Sequence, residues 1–150
     1  MIRSAPLLLL LAPLPVAAQS VTPGGWDVTS TATDLVVPGT PDFILRMAKG
    51  HSKTVHKCLT PEQAHAGAAA LFAPDPKNKC TVQQSTVANG HVDQVMMCPQ
   101  KTGDPARAVR TGTYDATKFT ARLTMSRQSP KGPVRIVLDQ AGTSTGSKCH

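Results

Sequence analysis

Aromatic residues are nearly missing from this chain of 150 residues, which holds one Trp, one Tyr and three Phe. Single-stranded nucleic acids are gripped by stacking bases on aromatic rings, so that class of partner is poorly served despite a formal charge of +7. Glutamate is scarcer still, Glu62 being the one instance. Asp42, Asp75, Asp104 and Asp115 sit among turn-forming neighbours, where an aspartate usually serves its own backbone. Paired carboxylates, a Ser-His-Asp set and a glycine-rich phosphate loop are all lacking, which leaves hydrolytic and phosphoryl-transfer chemistry without carriers. The cysteines form no CxxC pair, so a structural zinc site has no sequence signature. Beyond Leu14 no apolar run approaches the length needed to cross a bilayer.

A leader is expected at the N-terminus. Arg3 supplies positive charge, Leu7 to Leu14 is a short apolar run, and Val16-Ala17-Ala18 offers the small residues a signal peptidase reads. Cleavage after Ala18 is expected, with no lipobox cysteine following the apolar run. Gln19 to His150 then forms a single domain, carrying about +6 once Arg3 is gone, and it is expected to be periplasmic or secreted. Its basic residues, Lys53, Lys57, Arg107, Arg110 and Arg122 among them, are scattered rather than gathered. They would draw anionic envelope components in a salt-dependent way.

Four cysteines, Cys58, Cys80, Cys98 and Cys149, lie in the exported part. An even number in a small exported protein reads as two disulfides, for which three pairings exist. Cys80 to Val87 and His91 to Cys98 alternate like strands around Ala88-Asn89-Gly90, read as a three-residue hairpin loop. In that register Val87 faces His91 and Cys80 faces Cys98 at a non-hydrogen-bonded position, where Cα atoms approach to about 4.5 Å. Cys80–Cys98 follows from the register, and Cys58–Cys149 remains by elimination.

The other elements are read from punctuation and alternation. Trp26 to Thr33 is expected as a strand with Trp26, Val28 and Ala32 facing inward. Phe43 to Cys58 reads as two extended pieces about Lys49-Gly50. Thr60-Pro61-Glu62-Gln63 is a helix start with a capping-box spacing, and the alanine-rich stretch to Ala73 continues it, Gly67 being its weak point. Arg107 to Asp115 and Lys118 to Arg127 pair about Ala116-Thr117, with Phe119, Ala121, Leu123 and Met125 on one face. Val134 to Leu138 makes a last strand. Ala141 to Lys148 reads as a loose tail pinned by Cys149. The fold class expected is α+β, mainly β: a curved antiparallel sheet of about six to eight strands with one short helix and two disulfides.

Pro23-Gly24-Gly25-Trp26-Asp27-Val28, Cys58-Leu59-Thr60-Pro61-Glu62-Gln63-Ala64, Cys80, Cys98, Gly112-Thr113-Tyr114 and a cysteine just before the end together resemble an uncharacterised family of small exported bacterial proteins, the domain of unknown function DUF3617. Gly25 departs mildly from that pattern, which has a bulky residue before the aromatic. The resemblance implies export and disulfides and supplies no mechanism.

Three candidate sites follow from the residues. Cys58, near a helix start with His56 and His65 in the neighbourhood, could be a nucleophile, but an even cysteine set makes it a disulfide partner. His51, His56, His65, His91 and Met96-Met97-Cys98 contain metal-binding groups, yet Met96 and Met97 point to opposite faces of one strand, so no metal site and no cofactor is assigned. Trp26, Val28, Tyr114, Phe119, Leu123 and Ile136 share one sheet face, which either holds an apolar ligand or is filled by the helix as ordinary core. A non-enzymatic envelope binding or interaction module is therefore the leading expectation. The alternative is a small metal-binding or stress-related periplasmic protein.

Overall fold

A computed structural model describes residues 19–149; the expected leader, residues 1–18, lies outside the described residues. The chain forms β1 (Gly24–Val36), α1 (Asp42–Ala48), β2 (Ser52–Leu59), α2 (Pro61–His65), β3 (Thr81–Ala88), β4 (His91–Cys98), β5 (Ala106–Tyr114), β6 (Lys118–Ser129) and β7 (Gly132–Ser144). The strands make one antiparallel sheet in the order β2-β1-β7-β6-β5-β4-β3. The fold class is the one expected from the sequence, with seven strands, short helical pieces and two disulfides, Cys58–Cys149 and Cys80–Cys98.

Alternation decides the faces. Val92, Gln94 and Met96 of β4, Ala108, Arg110 and Tyr114 of β5, and Phe119, Ala121 and Leu123 of β6 are buried on one side. The other side carries threonines and ion pairs such as Arg122–Asp139. The β5–β6 register is the expected one, Thr113 opposite Thr120. Its turn is closed by Asp115, which accepts from the backbone N–H groups of Thr117 and Lys118, both at 2.8 Å.

The hairpin between β3 and β4 arrives at the expected bridge by another route. Its loop is the two residues Asn89 (φ 52°) and Gly90 (φ 76°), the double left-handed turn that matches strand twist. Ala88 therefore faces His91, and Val87 faces Val92 rather than His91. A bulge between Val82 and Gln84 then moves the register by one residue, so that Thr81 faces Met97 and the two cysteines just beyond are brought together, Cα to Cα 4.1 Å. Because β3 is an edge strand, the bulge also disrupts a template for unwanted pairing.

Three expectations need correcting. The segment from Phe43 is helical, not extended: Pro41 precedes α1, Asp42 complements the helix dipole, and Leu45, Arg46, Met47 and Ala48 are good helix formers. None of its residues is buried, and Phe43, Ile44 and Met47 stand exposed. The alanine-rich helix is interrupted at Gly67, whose φ of 111° ends α2 after five residues; a short 3-10 turn, Ala68–Ala70, follows. The first half of the tail is strand. Residues Ala141 to Ser144 belong to β7, between β1 and β6, and only the last few residues lie beyond it. A Cβ at Gly142 would run into the Phe119 ring, so this glycine is a seat for an aromatic in a central strand.

Candidate functional site

The two edge strands, β2 and β3, are joined by residues 60–80, which form a strap across the inner face of the sheet. The strap opens with a complete capping box. Thr60 Oγ1 accepts from Gln63 N at 3.2 Å, and Gln63 Oε1 accepts from Thr60 N at 3.0 Å, with Pro61 next in line. Gly67 redirects the chain so that Ala68, Leu71 and Phe72 face the sheet. Pro74-Asp75-Pro76 then leads into a 3-10 turn, Pro76–Asn78, capped by Asp75, whose Oδ1 accepts from Lys77 N.

Phe72 is the strap's anchor. It is 1 % exposed, lies edge-on to Phe119 at 5.0 Å between ring centroids, and tilts against Tyr114 at 5.8 Å. Trp26, fully buried, stacks on Phe119 and donates from Nε1 to Thr22 O. Together with Val28, Leu59, Val92 and Ala121 these side chains make a packed core at one end of the sheet.

Two cations hold the strap down. Arg110 rises from the middle of β5, where its neighbours on the same face are Ala108 and Gly112. It is 9 % exposed and donates from Nη1 to Phe72 O and Gln94 Oε1, both at 2.8 Å, and from Nε to Gln140 Oε1 at 3.0 Å. Its guanidinium also lies 5.9 Å from the Phe72 ring centroid. Lys57 of β2 donates from Nζ to Leu71 O at 2.9 Å and Ala73 O at 2.8 Å. Burial lowers the pKa of Arg110. Burial is also the main influence lowering that of Lys57, followed by the Arg110 charge, against a smaller opposing effect of Asp75.

Beyond Phe72 the strap and the sheet stay joined at Ala73, whose carbonyl accepts from Lys57, and at the Cys80–Cys98 bridge. They enclose a cleft of about 520 Å³ whose walls include Val28, Ala32, Met96, Leu123, Met125 and Leu138 on the sheet side and Leu71 to Asp75 on the strap side. The Cys80–Cys98 bridge closes one flank, and Lys53 and His51 stand near the β2 edge. The inner face thus carries one core cluster packed under the strap and a second, Met96, Cys98, Ala108 and Leu123, that forms the floor of the cleft. Of the residues singled out from sequence, Trp26, Tyr114 and Phe119 lie in the core, Val28, Phe119 and Leu123 also border the cleft, and Ile136 lines a separate small groove of about 80 Å³ with Val134 and Gln100.

Arg110 and Lys57 were not singled out, because they read as two members of a scattered basic set. The signal was present all the same: Arg110 interrupts an otherwise small or apolar face at positions 106, 108, 112 and 114. The remaining candidates disperse. Cys58 is bonded to Cys149, so it offers no thiolate, and the described residues contain no free cysteine. His56 faces Asp27 on the outer side of the sheet, and Met96 is buried while Met97 points away. Among the described residues no three His, Cys, Asp or Glu side chains converge, and no helix is long and apolar enough to cross a membrane.

An antiparallel sheet closed by two disulfides and crossed by a strap defines a stapled domain suited to an oxidising compartment outside the cytoplasm. The chain belongs to the DUF3617 family of proteins of unknown function, whose family model matches residues 21–149. No curated protein and no solved structure gives a match.

Proposed function

We propose that the protein is a non-enzymatic binding module of the bacterial envelope, exported to the periplasm, with its ligand site in the cleft between strap and sheet. The observation that carries this reading is the cleft itself. Its volume of about 520 Å³ falls in the range of small-molecule sites, roughly 300 to 1,000 Å³, and its floor is built of aliphatic and thioether side chains. Disulfides at both flanks of the sheet and a strap tied down by Arg110 and Lys57 support a largely pre-formed site. A binding role also suits the polar groups on hand: Asp75 Oδ1 caps a turn, and Nε and Nη1 of Arg110 hold the strap and its neighbouring strands, which leaves Nη2 free.

Native mass spectrometry of purified protein before and after delipidation, with titration of the neutral fluorophore N-phenyl-1-naphthylamine, tests this reading. Saturable one-to-one binding is expected, and Ala32→Phe, which fills the cleft from β1, should abolish it without lowering the melting temperature much. Absence of both a co-purifying molecule and saturable fluorophore binding overturns the proposal.

A further inference from the structure

Charge in the cleft is one-sided. Three cations, Lys53, Lys57 and Arg110, line it against a single carboxylate, Asp75. Among the described residues Arg110 has no ion-pair partner: the salt bridges there involve Arg122, Arg135 and His56, all on exposed side chains. A guanidinium taken out of water ordinarily requires a carboxylate beside it, and leaving one unpaired is costly. Three neutral acceptors meet only part of that need. They occupy Nη1 and Nε, and no hydrogen bond falls to Nη2. No sealed side-chain polar atom of the described residues lacks a partner, so Nη2 must border open space, and the cleft is the space that Arg110 lines. Lys57, half-buried, also has a donor to spare. Two of its three donors go to the strap carbonyls, one remains, and its charge repels that of Arg110, an effect that Asp75 offsets only in part.

Resting on the reading of the cleft as a ligand site, we infer that the ligand is an anionic amphiphile: one alkyl chain on the aliphatic floor made by Leu123, Met125 and Leu138, its carboxylate or phosphate end held by Arg110 Nη2 and the third Nζ proton of Lys57. An anion there pairs the unpartnered guanidinium and removes the repulsion between the two cations. A planar guanidinium presents parallel N–H groups suited to either headgroup, and both interactions are charge-assisted. The aliphatic floor explains why a free anion would not suffice: most of the cleft offers such a group nothing. Because Arg110 and Lys57 also hold the strap, ligand binding and strap order are coupled through the same two side chains.

Isothermal titration of the full exported chain with dodecanoate, dodecyl phosphate, dodecanol, dodecyltrimethylammonium and inorganic phosphate tests the inference. Dodecanoate or dodecyl phosphate is expected to bind at least tenfold tighter than dodecanol, with the gap shrinking as salt is raised. The tighter of the two identifies the headgroup. Dodecyltrimethylammonium and inorganic phosphate should bind at least tenfold more weakly than the better anionic amphiphile. Arg110→Gln should bring the ratio of anionic to neutral affinity close to one. If that variant does not fold, the wild-type comparison and Lys57→Gln decide. Equal affinity for dodecanol and the anions overturns the anionic assignment while leaving the cleft as a binding site. Inorganic phosphate binding as tightly as dodecyl phosphate overturns the amphiphile. Failure of every alkyl probe overturns the binding site itself.

Discussion

Replacing Cys58 and Cys149 together by alanine should weaken the protein more than any other change in the termini. The bridge closes a loop with a sequence separation of 91, and the Cys80–Cys98 bridge one of 18. Loop-closure entropy then assigns about 4.6 kcal/mol to the first and about 3.2 kcal/mol to the second at 25 °C. The native contacts modify this difference in a predictable direction. Cys98 is buried beside Met96, Ala108 and Leu123, so the alanine pair at 80 and 98 also forfeits sulfur packing, whereas Cys149 is exposed. The tail keeps two backbone bonds to Gly25 whether or not the bridge is present, Thr145 N to Gly25 O and Gly25 N to Ser147 O, both 2.9 Å. The sheet of the 58/149 variant should therefore stay intact while its stability falls. Against a typical domain stability of about 5–15 kcal/mol, a loss near 4 kcal/mol is large and one near 8 kcal/mol for both bridges abolishes folding in the less stable cases. Equilibrium urea unfolding, followed by the emission of the fully buried Trp26, measures it. The m value should rise as the unfolded chain expands. A loss under about 1 kcal/mol with an unchanged m value would refute the view that Cys149 acts by restraining the unfolded ensemble.

Phe72→Ala, emptying the centre of the aromatic cluster, should cost about 3–5 kcal/mol in the same assay. Gly142→Ala places a methyl where the Phe119 ring lies and should cost about 1–3 kcal/mol, with a red shift of Trp26 emission as the stack loosens. Thr60→Ala removes one half of the capping box at the strap's entry, and a stability loss of about 1 kcal/mol, read from a lowered urea midpoint at unchanged m value, is expected. Hydrogen bonds from the Thr117 and Lys118 backbones hold the Asp115 carboxyl below its ordinary pKa. The stabilisation this gives is full above the unfolded aspartate value of about 3.9 and is lost as pH falls through the lower folded value. Thermal melting between pH 2 and 7 should accordingly show a shallower acid limb in Asp115→Ala; an unchanged limb would place the acid sensitivity elsewhere.

Where a local rule acted alone, the sequence was enough. Alternation in Phe119, Ala121, Leu123 and Met125 fixed the inner face of β6, and the Asp115 turn fixed the β5–β6 register. Thr60, Pro61 and Gln63 announced the start of α2, since capping depends on four consecutive residues. The Cys80–Cys98 pair was legible for a partly mistaken reason: a two-residue turn and a bulge at Gln83 together place these cysteines opposite each other, just as the assumed three-residue loop would have done. Helix α1 escaped notice because it is seven residues long and buries nothing, and its nearly continuous apolar residues, Phe43, Ile44, Leu45, Met47 and Ala48, fit a short strand as readily as a helix. The end of β7 looked loose because Gly142 weakens a strand on local criteria, and only the Phe119 ring from β6 shows what the glycine is for.

The sequence by itself determined the export-type framework of paired cysteines, the antiparallel class and the inward set of apolar side chains, all consequences of short-range pattern and residue chemistry. The tertiary structure alone decided that the inner face is part core packed under the strap and part cleft floor. That division depends on how far Phe72 reaches across the sheet and on two cations, Arg110 and Lys57, meeting the strap from strands more than fifty residues apart in the chain. A charged residue on an apolar face is a local anomaly in the sequence. Only the folded chain reveals which backbone carbonyls it serves and which of its donors is left over.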